Sequence, residues 1–112
     1  MNTVALIGAL TDAPELTRNR EGIEVCRMRI AVPRRNRGGR REPGVVYVEV
    51  VTFGAEAIAC AERLKRGDRI GLSGRLERDD YVVAEGERRT DHGVLVEQLD
   101  LLTEEGSNGA LR

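Results

Sequence analysis

Between Val25 and Val32 the side chains alternate: Cys26, Met28, Ile30 and Val32 fall on one side, Arg27 and Arg29 on the other. A period of two is the pattern of an extended strand with one dry and one wet face. It also fixes register, because a slip of one residue would bury both guanidinium groups and expose the apolar set. This segment therefore demands a sheet, with a wall facing water that carries positive charge.

Its partners can be found along the chain. Thr3 to Leu10 is apolar on both faces, as expected of a strand that meets the core on one side and another subunit on the other, and Val4, Leu6 and Gly8 are the residues assigned to that subunit contact. Asp12-Ala13-Pro14-Glu15 breaks this run, and Asn19-Arg20-Glu21-Gly22 supplies turn chemistry. Val45 to Phe53 is rich in β-branched and aromatic residues and forms the third strand, with Tyr47, Glu49, Val51 and Phe53 sharing one face and Val46, Val48 and Val50 the other. After Gly54, the spacing of Ile58, Ala61 and Leu64 predicts an amphipathic helix over Ala55–Lys65, stopped by Gly67. Arg69 to Leu76 alternates again, its glycines suiting the bends of a small barrel. Tyr81-Val82-Val83 and Val94 to Leu102, on either side of a hairpin-like hinge at Glu85–Arg89, make the last strand.

The chain of 112 residues suits one domain, residues 1–102, followed by a short frayed polar tail, 103–112. No run approaches the roughly 20 apolar residues of a membrane helix, and the N-terminus has no leader pattern, so a cytoplasmic location and no membrane partner are expected. A net charge of −1 decides nothing about partners; its distribution does. Pro33 to Gly44 carries Arg34, Arg35, Arg37, Arg40 and Arg41 against the single acid Glu42, and is expected to be a mobile basic loop. Cys26 and Cys60 sit in apolar patterns and are expected to pack inertly. His92 is the only histidine, so no metal site is expected. Asp79-Asp80 and Glu104-Glu105 are sequence neighbours whose side chains turn apart, and Gly71-Leu72-Ser73-Gly74 lacks the lysine of a phosphate loop. Neither a catalytic residue nor a cofactor is expected, and the chain reads as a binder rather than an enzyme.

Three strands, a helix and two further strands give an all-β, five-stranded OB-fold barrel with its helix between strands three and four. The blocks Met1-Asn2-Thr3-Val4-Ala5-Leu6-Ile7-Gly8, Asp12-Ala13-Pro14-Glu15-Leu16, Val50-Val51-Thr52-Phe53-Gly54, Leu64-Lys65-Arg66-Gly67-Asp68 and Gly74-Arg75-Leu76 resemble, in order and spacing, the bacterial single-stranded DNA-binding protein family. The resemblance covers residues 1 to 102. It implies sequence-independent binding of single-stranded DNA in replication, recombination or repair, with bases stacked on aromatic rings. Three of the family's four stacking positions fall on Tyr47, Phe53 and Tyr81; the fourth falls near Asn36, where the flat guanidinium groups of Arg35 or Arg37 can take part of the role. Arg27, Arg29, Arg34, Arg35, Arg37, Arg40, Arg41, Arg75 and Arg78 are the candidate phosphate contacts. A homotetramer is implied, although a dimer satisfies the same apolar pattern. The family's tail usually ends in an acidic tip that docks replication and repair proteins; this sequence stops at Asn108-Gly109-Ala110-Leu111-Arg112 without one. The rival reading is a primosome-like or paralogous OB-fold interaction protein with weak DNA binding.

Aromatics make up only 3% of the chain, so placing them on a binding wall requires an aliphatic core. Against binding stand Glu49, on the face of Tyr47 and Phe53, and Glu77, Asp79 and Asp80 just before Tyr81. Carboxylates repel phosphates, which predicts weaker or more salt-sensitive binding than is usual for the family.

Overall fold

A computed structural model describes residues 1–82 and 86–102, with the backbone alone at positions 79, 81, 82 and 88–91. The elements in order are β1 (Val4–Leu10), β2 (Glu15–Arg18), β3 (Glu24–Arg35), β4 (Arg41–Phe53), α1 (Gly54–Arg63), β5 (Arg69–Val82) and β6 (Arg88–Leu101). The strands pair in the order β1-β5-β6-β4-β3-β2, and β1 also pairs with β3 through Ala9–Ala31 and Leu10–Ile30. That second pairing closes β1, β3, β4, β5 and β6 into a five-stranded barrel. The ladders are antiparallel except for a short parallel contact of Val50 with Val94 and Val51 with Leu95 between β4 and β6. With α1 between its third and fourth strands, the barrel has the OB fold.

The alternation in β3 holds: Cys26, Met28 and Ile30 are buried while Arg27 is half-buried and Arg29 exposed. They pack with Leu10, Val50, Ile70, Leu72, Val94 and Val96, and α1 adds Ala57 and Cys60 to the same cluster. Among the described residues the core contains no ring, in keeping with their scarcity. Among the described residues no helix is long and apolar enough to cross a membrane.

Several expectations are corrected. Glu15–Arg18 is a strand, paired with β3 from Glu15–Arg27 to Arg18–Glu24; four exposed residues show no periodicity, and only the neighbour's open edge makes them extended. The basic segment is a hairpin rather than a loop: β3 and β4 stay paired out to Arg35–Arg41, past a register shift after Pro33. Only residues 36–40 turn, where the Asn36 side-chain oxygen accepts hydrogen bonds from the backbone N–H groups of Gly38 and Arg40, each 2.9 Å. In α1 the buried face is Ala57 and Cys60, whereas Ile58 remains 37% exposed. The last two strands are longer than their apolar patterns, pairing out to Val82–Arg88. Val83 to Glu85 and the expected frayed tail at 103–112 lie outside the described residues.

Both thiols are free and buried. Burial, with smaller contributions from Cys60 and Glu15, pushes the Cys26 thiol from its usual 9.0 up to about 11. Burial also raises Cys60. Since the thiolate is the nucleophile, the folded protein should resist a disulfide-exchange reagent at pH 8 and release two equivalents when denatured. The folded state holds these protons more tightly than the unfolded chain. Stability should therefore be level below about pH 9 and fall as pH rises towards 11, by a linkage that chemical denaturation at several pH values would measure.

Candidate nucleic-acid interface

Strand parity sets the wall. Tyr47 and Phe53 are six residues apart on β4, so both point outward, with about 20 Å of strand between them. Tyr47 is 56% exposed and Phe53, which also begins α1, is 44% exposed. On β3 the outward residues opposite this stretch are Arg27 across from Val51, Arg29 across from Glu49 and Ala31 across from Tyr47. The Arg29 guanidinium lies over the Tyr47 ring, 4.5 Å from its centroid, and its Nε is 3.7 Å from Glu49. Tyr81 is on β5 opposite Arg89; its side chain lies outside the described residues.

A cleft of about 270 Å³ opens beside Arg27, Arg29, Glu49, Asp12, Glu15 and Gly93. Asp12 and Glu15 were not among the residues singled out. Their signal in the sequence is the Asp12-Ala13-Pro14-Glu15 break, which reads as a turn and conceals that β2 folds the carboxylates back towards the arginines.

The β3–β4 hairpin carries the rest of the positive charge outward. Arg34 pairs with Glu42 across the ladder at 3.7 Å, Arg35 donates to the Gly39 carbonyl at 3.3 Å, and Arg37, Arg40 and Arg41 are exposed at or beside the turn. On the other hairpin Arg75 is gripped by two carboxylates, Glu77 at 2.8 Å and Glu97 at 2.7 Å, which raise its already high pKa. It ties β5 to β6, which leaves it poorly placed to meet phosphate. Arg78 pairs with Asp80 at 3.2 Å. The structure thus brings Tyr47, Arg27 and Arg29 together, puts Arg34, Arg35, Arg37, Arg40 and Arg41 on one arm, and sets Arg75 and Arg78 apart among acids.

The residues assigned to a subunit contact are among the less exposed ones of β1. Val4 and Leu6 pack against the core, and Gly8 is buried where a Cβ would come within 2.7 Å of the Ala31 carbonyl oxygen. Leu6 and Gly8 also border a wide groove, together with Ala5, Ile7 and Ala9 of the same strand and with Pro33 and Val45.

A closed OB barrel with an aliphatic interior and a wall of outward rings and guanidinium groups belongs to the class of OB-fold binding proteins. The chain belongs to the Single-strand binding protein family, which it matches over residues 1–102. It is 32% identical over 109 residues to a single-stranded DNA-binding protein of Wolinella succinogenes, covering 96% of this chain and 67% of that one. It is 32% identical over 110 residues to single-stranded DNA-binding protein 3 of Listeria innocua, covering 98% and 68%. A single-stranded DNA-binding protein of Clostridium tetani is 35% identical over 104 residues, covering 91% and 70%.

Proposed function

We propose that this chain binds single-stranded DNA without sequence preference, stacking bases on Tyr47, Phe53 and Tyr81 and drawing phosphates to the arginines of the β3–β4 hairpin. The observation that carries this reading is the exposure of Tyr47 and Phe53 on one wall of a barrel whose core, among the described residues, uses no ring. Leaving large apolar rings in water forgoes the burial that usually stabilises a fold, and stacking on a nucleobase recovers a comparable amount, about 1–3 kcal/mol per ring. Spaced cations beside flat side chains are what a sequence-tolerant binder of an unpaired strand needs. Fluorescence anisotropy of a labelled oligothymidine at two salt concentrations tests it: binding should be saturable and weaken with added salt. No binding at low salt would overturn the reading and favour an interaction protein.

We further propose that a second copy covers the groove beside β1. Residues Val4 to Gly8 pair with β5 alone, which leaves their other edge open for a strand of another copy. The groove holds about 1070 Å³ and sets apolar residues such as Leu6, Ile7 and Val45 beside Arg41, Arg69 and Asp100. Two or more barrels on one strand raise apparent affinity through effective concentration. Ile7, 48% exposed at the centre of this face, is the residue to change. Ile7→Glu should shift the mass by light scattering to that of a single chain, while a wild-type chain that is already monomeric at high concentration would refute the assembly.

A further inference from the structure

Glu49 is the residue on the binding wall whose chemistry fits the proposed function least, since a carboxylate beside the strand repels phosphate. Its geometry supplies a reason for its presence. Glu49 stands directly across the ladder from Arg29, with Tyr47 one step further along the same face. The carboxylate draws the Arg29 guanidinium over β4, where it comes to rest above the Tyr47 ring. All three groups remain open to solvent: the Arg29 and Glu49 side chains are 49% and 53% exposed, and Tyr47 is 56% exposed.

An arginine in this position has lost much of its value as a phosphate contact, because its charge is already matched. It keeps its planar, weakly hydrated face, which stacks on rings as readily as a ring does. From these contacts we infer that Glu49 is a positioning residue that converts Arg29 from a phosphate contact into a second stacking surface laid over Tyr47. A nucleobase then meets the outer face of the guanidinium plate, with the Tyr47 ring beneath it. This rests on single-stranded DNA binding as proposed above, and it reverses the expectation that acids on this face increase salt sensitivity. The salt slope counts the cations that release counterions from the strand, and a guanidinium held by Glu49 is not among them.

The test is the dependence of affinity for oligothymidine on salt for the wild type, Glu49→Gln and Arg29→Lys. Freeing Arg29 in Glu49→Gln adds up to one phosphate contact, so the slope of log K against log salt should steepen by about 0.7, the single-strand increment per contact. Its curve should cross the wild type, tighter at low salt and about two- to fivefold weaker at high salt, where the exposed cation–π contact is missed. Arg29→Lys keeps the charge pair and loses the plate, so its slope should match the wild type while affinity falls by the same two- to fivefold throughout. A second readout precedes any DNA. The chain has no Trp and 2 Tyr, so in a Tyr81→Phe background the emission reports Tyr47 alone, and Glu49→Gln should change it.

A Glu49→Gln variant that binds more tightly at every salt concentration would reduce Glu49 to a simple repulsive charge and overturn the inference. So would an unchanged slope, or Arg29→Lys binding as well as wild type at high salt. Failure of the unmodified chain to bind at all is a separate result that removes the proposed function itself.

Discussion

Removing both outward rings together, Tyr47→Ala with Phe53→Ala, is expected to weaken oligothymidine binding roughly 30- to 20,000-fold while leaving the fold in place. Each base–aromatic stack is worth about 1–3 kcal/mol by alanine substitution, and every 1.4 kcal/mol is tenfold in affinity. The rings are 56% and 44% exposed and belong to no core cluster, so their loss opens no cavity. About 20 Å of strand separates them, which places them beyond direct contact and makes the two losses close to additive. Neither side chain is charged, so the double variant should weaken binding equally at both salt concentrations. Arg37→Ser with Arg40→Ser should instead flatten the salt slope. Tyr47→Phe is the control that keeps the stacking face. If anisotropy titrations put the double variant within twofold of the wild type, the wall of β3 and β4 is not where the strand lies.

What the sequence makes legible follows from the range of the interactions involved. The alternation of Cys26, Met28 and Ile30 against Arg27 and Arg29 is local, set by the period of the strand itself, and it survives unchanged in the barrel. The parity that sets Tyr47 and Phe53 on one face is equally local. Legibility fails where a partner strand decides. Glu15–Arg18 is extended because β3 lies beside it. The arginine-rich segment is a hairpin because its ladder continues past Pro33 and Asn36 holds its turn, although composition alone suggests a solvated loop. Val4 and Leu6 pack against the core while Ile7 is exposed, a choice of face that no residue in a strand apolar on both faces reveals. The contact of Arg29 with Tyr47 and Glu49 depends on cross-strand register between β3 and β4, a quantity fixed by the hairpin and invisible in either strand alone.

Substituting alanine at Gly74 should have the largest effect on stability of any single methyl added to this chain. Gly74 is buried in β5, between Val4 of β1 and Val96 of β6, at the register shift that follows Ser73. A Cβ there would run into the carbonyl oxygen of Leu95, and would lie 2.9 Å from the Leu95 carbonyl carbon and 3.1 Å from the Val96 Cα. All three obstacles are backbone atoms, so no rotamer change relieves the clash. The chain can yield only by pulling β5 from β6 or β1, at a point where both ladders close the barrel. Overpacking in a core costs about 1–3 kcal/mol and occasionally more. With backbone on every side the cost here should be about 3 kcal/mol or above, lowering Tm by roughly 12–24 °C for a domain of this size. Gly71→Ala is the matched comparison on the same strand: the new Cβ would meet side chains instead, Leu102 Cδ1 at 3.2 Å and Ile7 Cγ1 at 3.7 Å. Those can rotate aside, and replacing a strand glycine also gains up to about 1 kcal/mol of backbone entropy. Thermal melts of the two variants should therefore separate widely. A Gly74→Ala protein that melts with Gly71→Ala and the wild type would mean that β5 and β6 do not approach as closely at the bulge as the barrel requires.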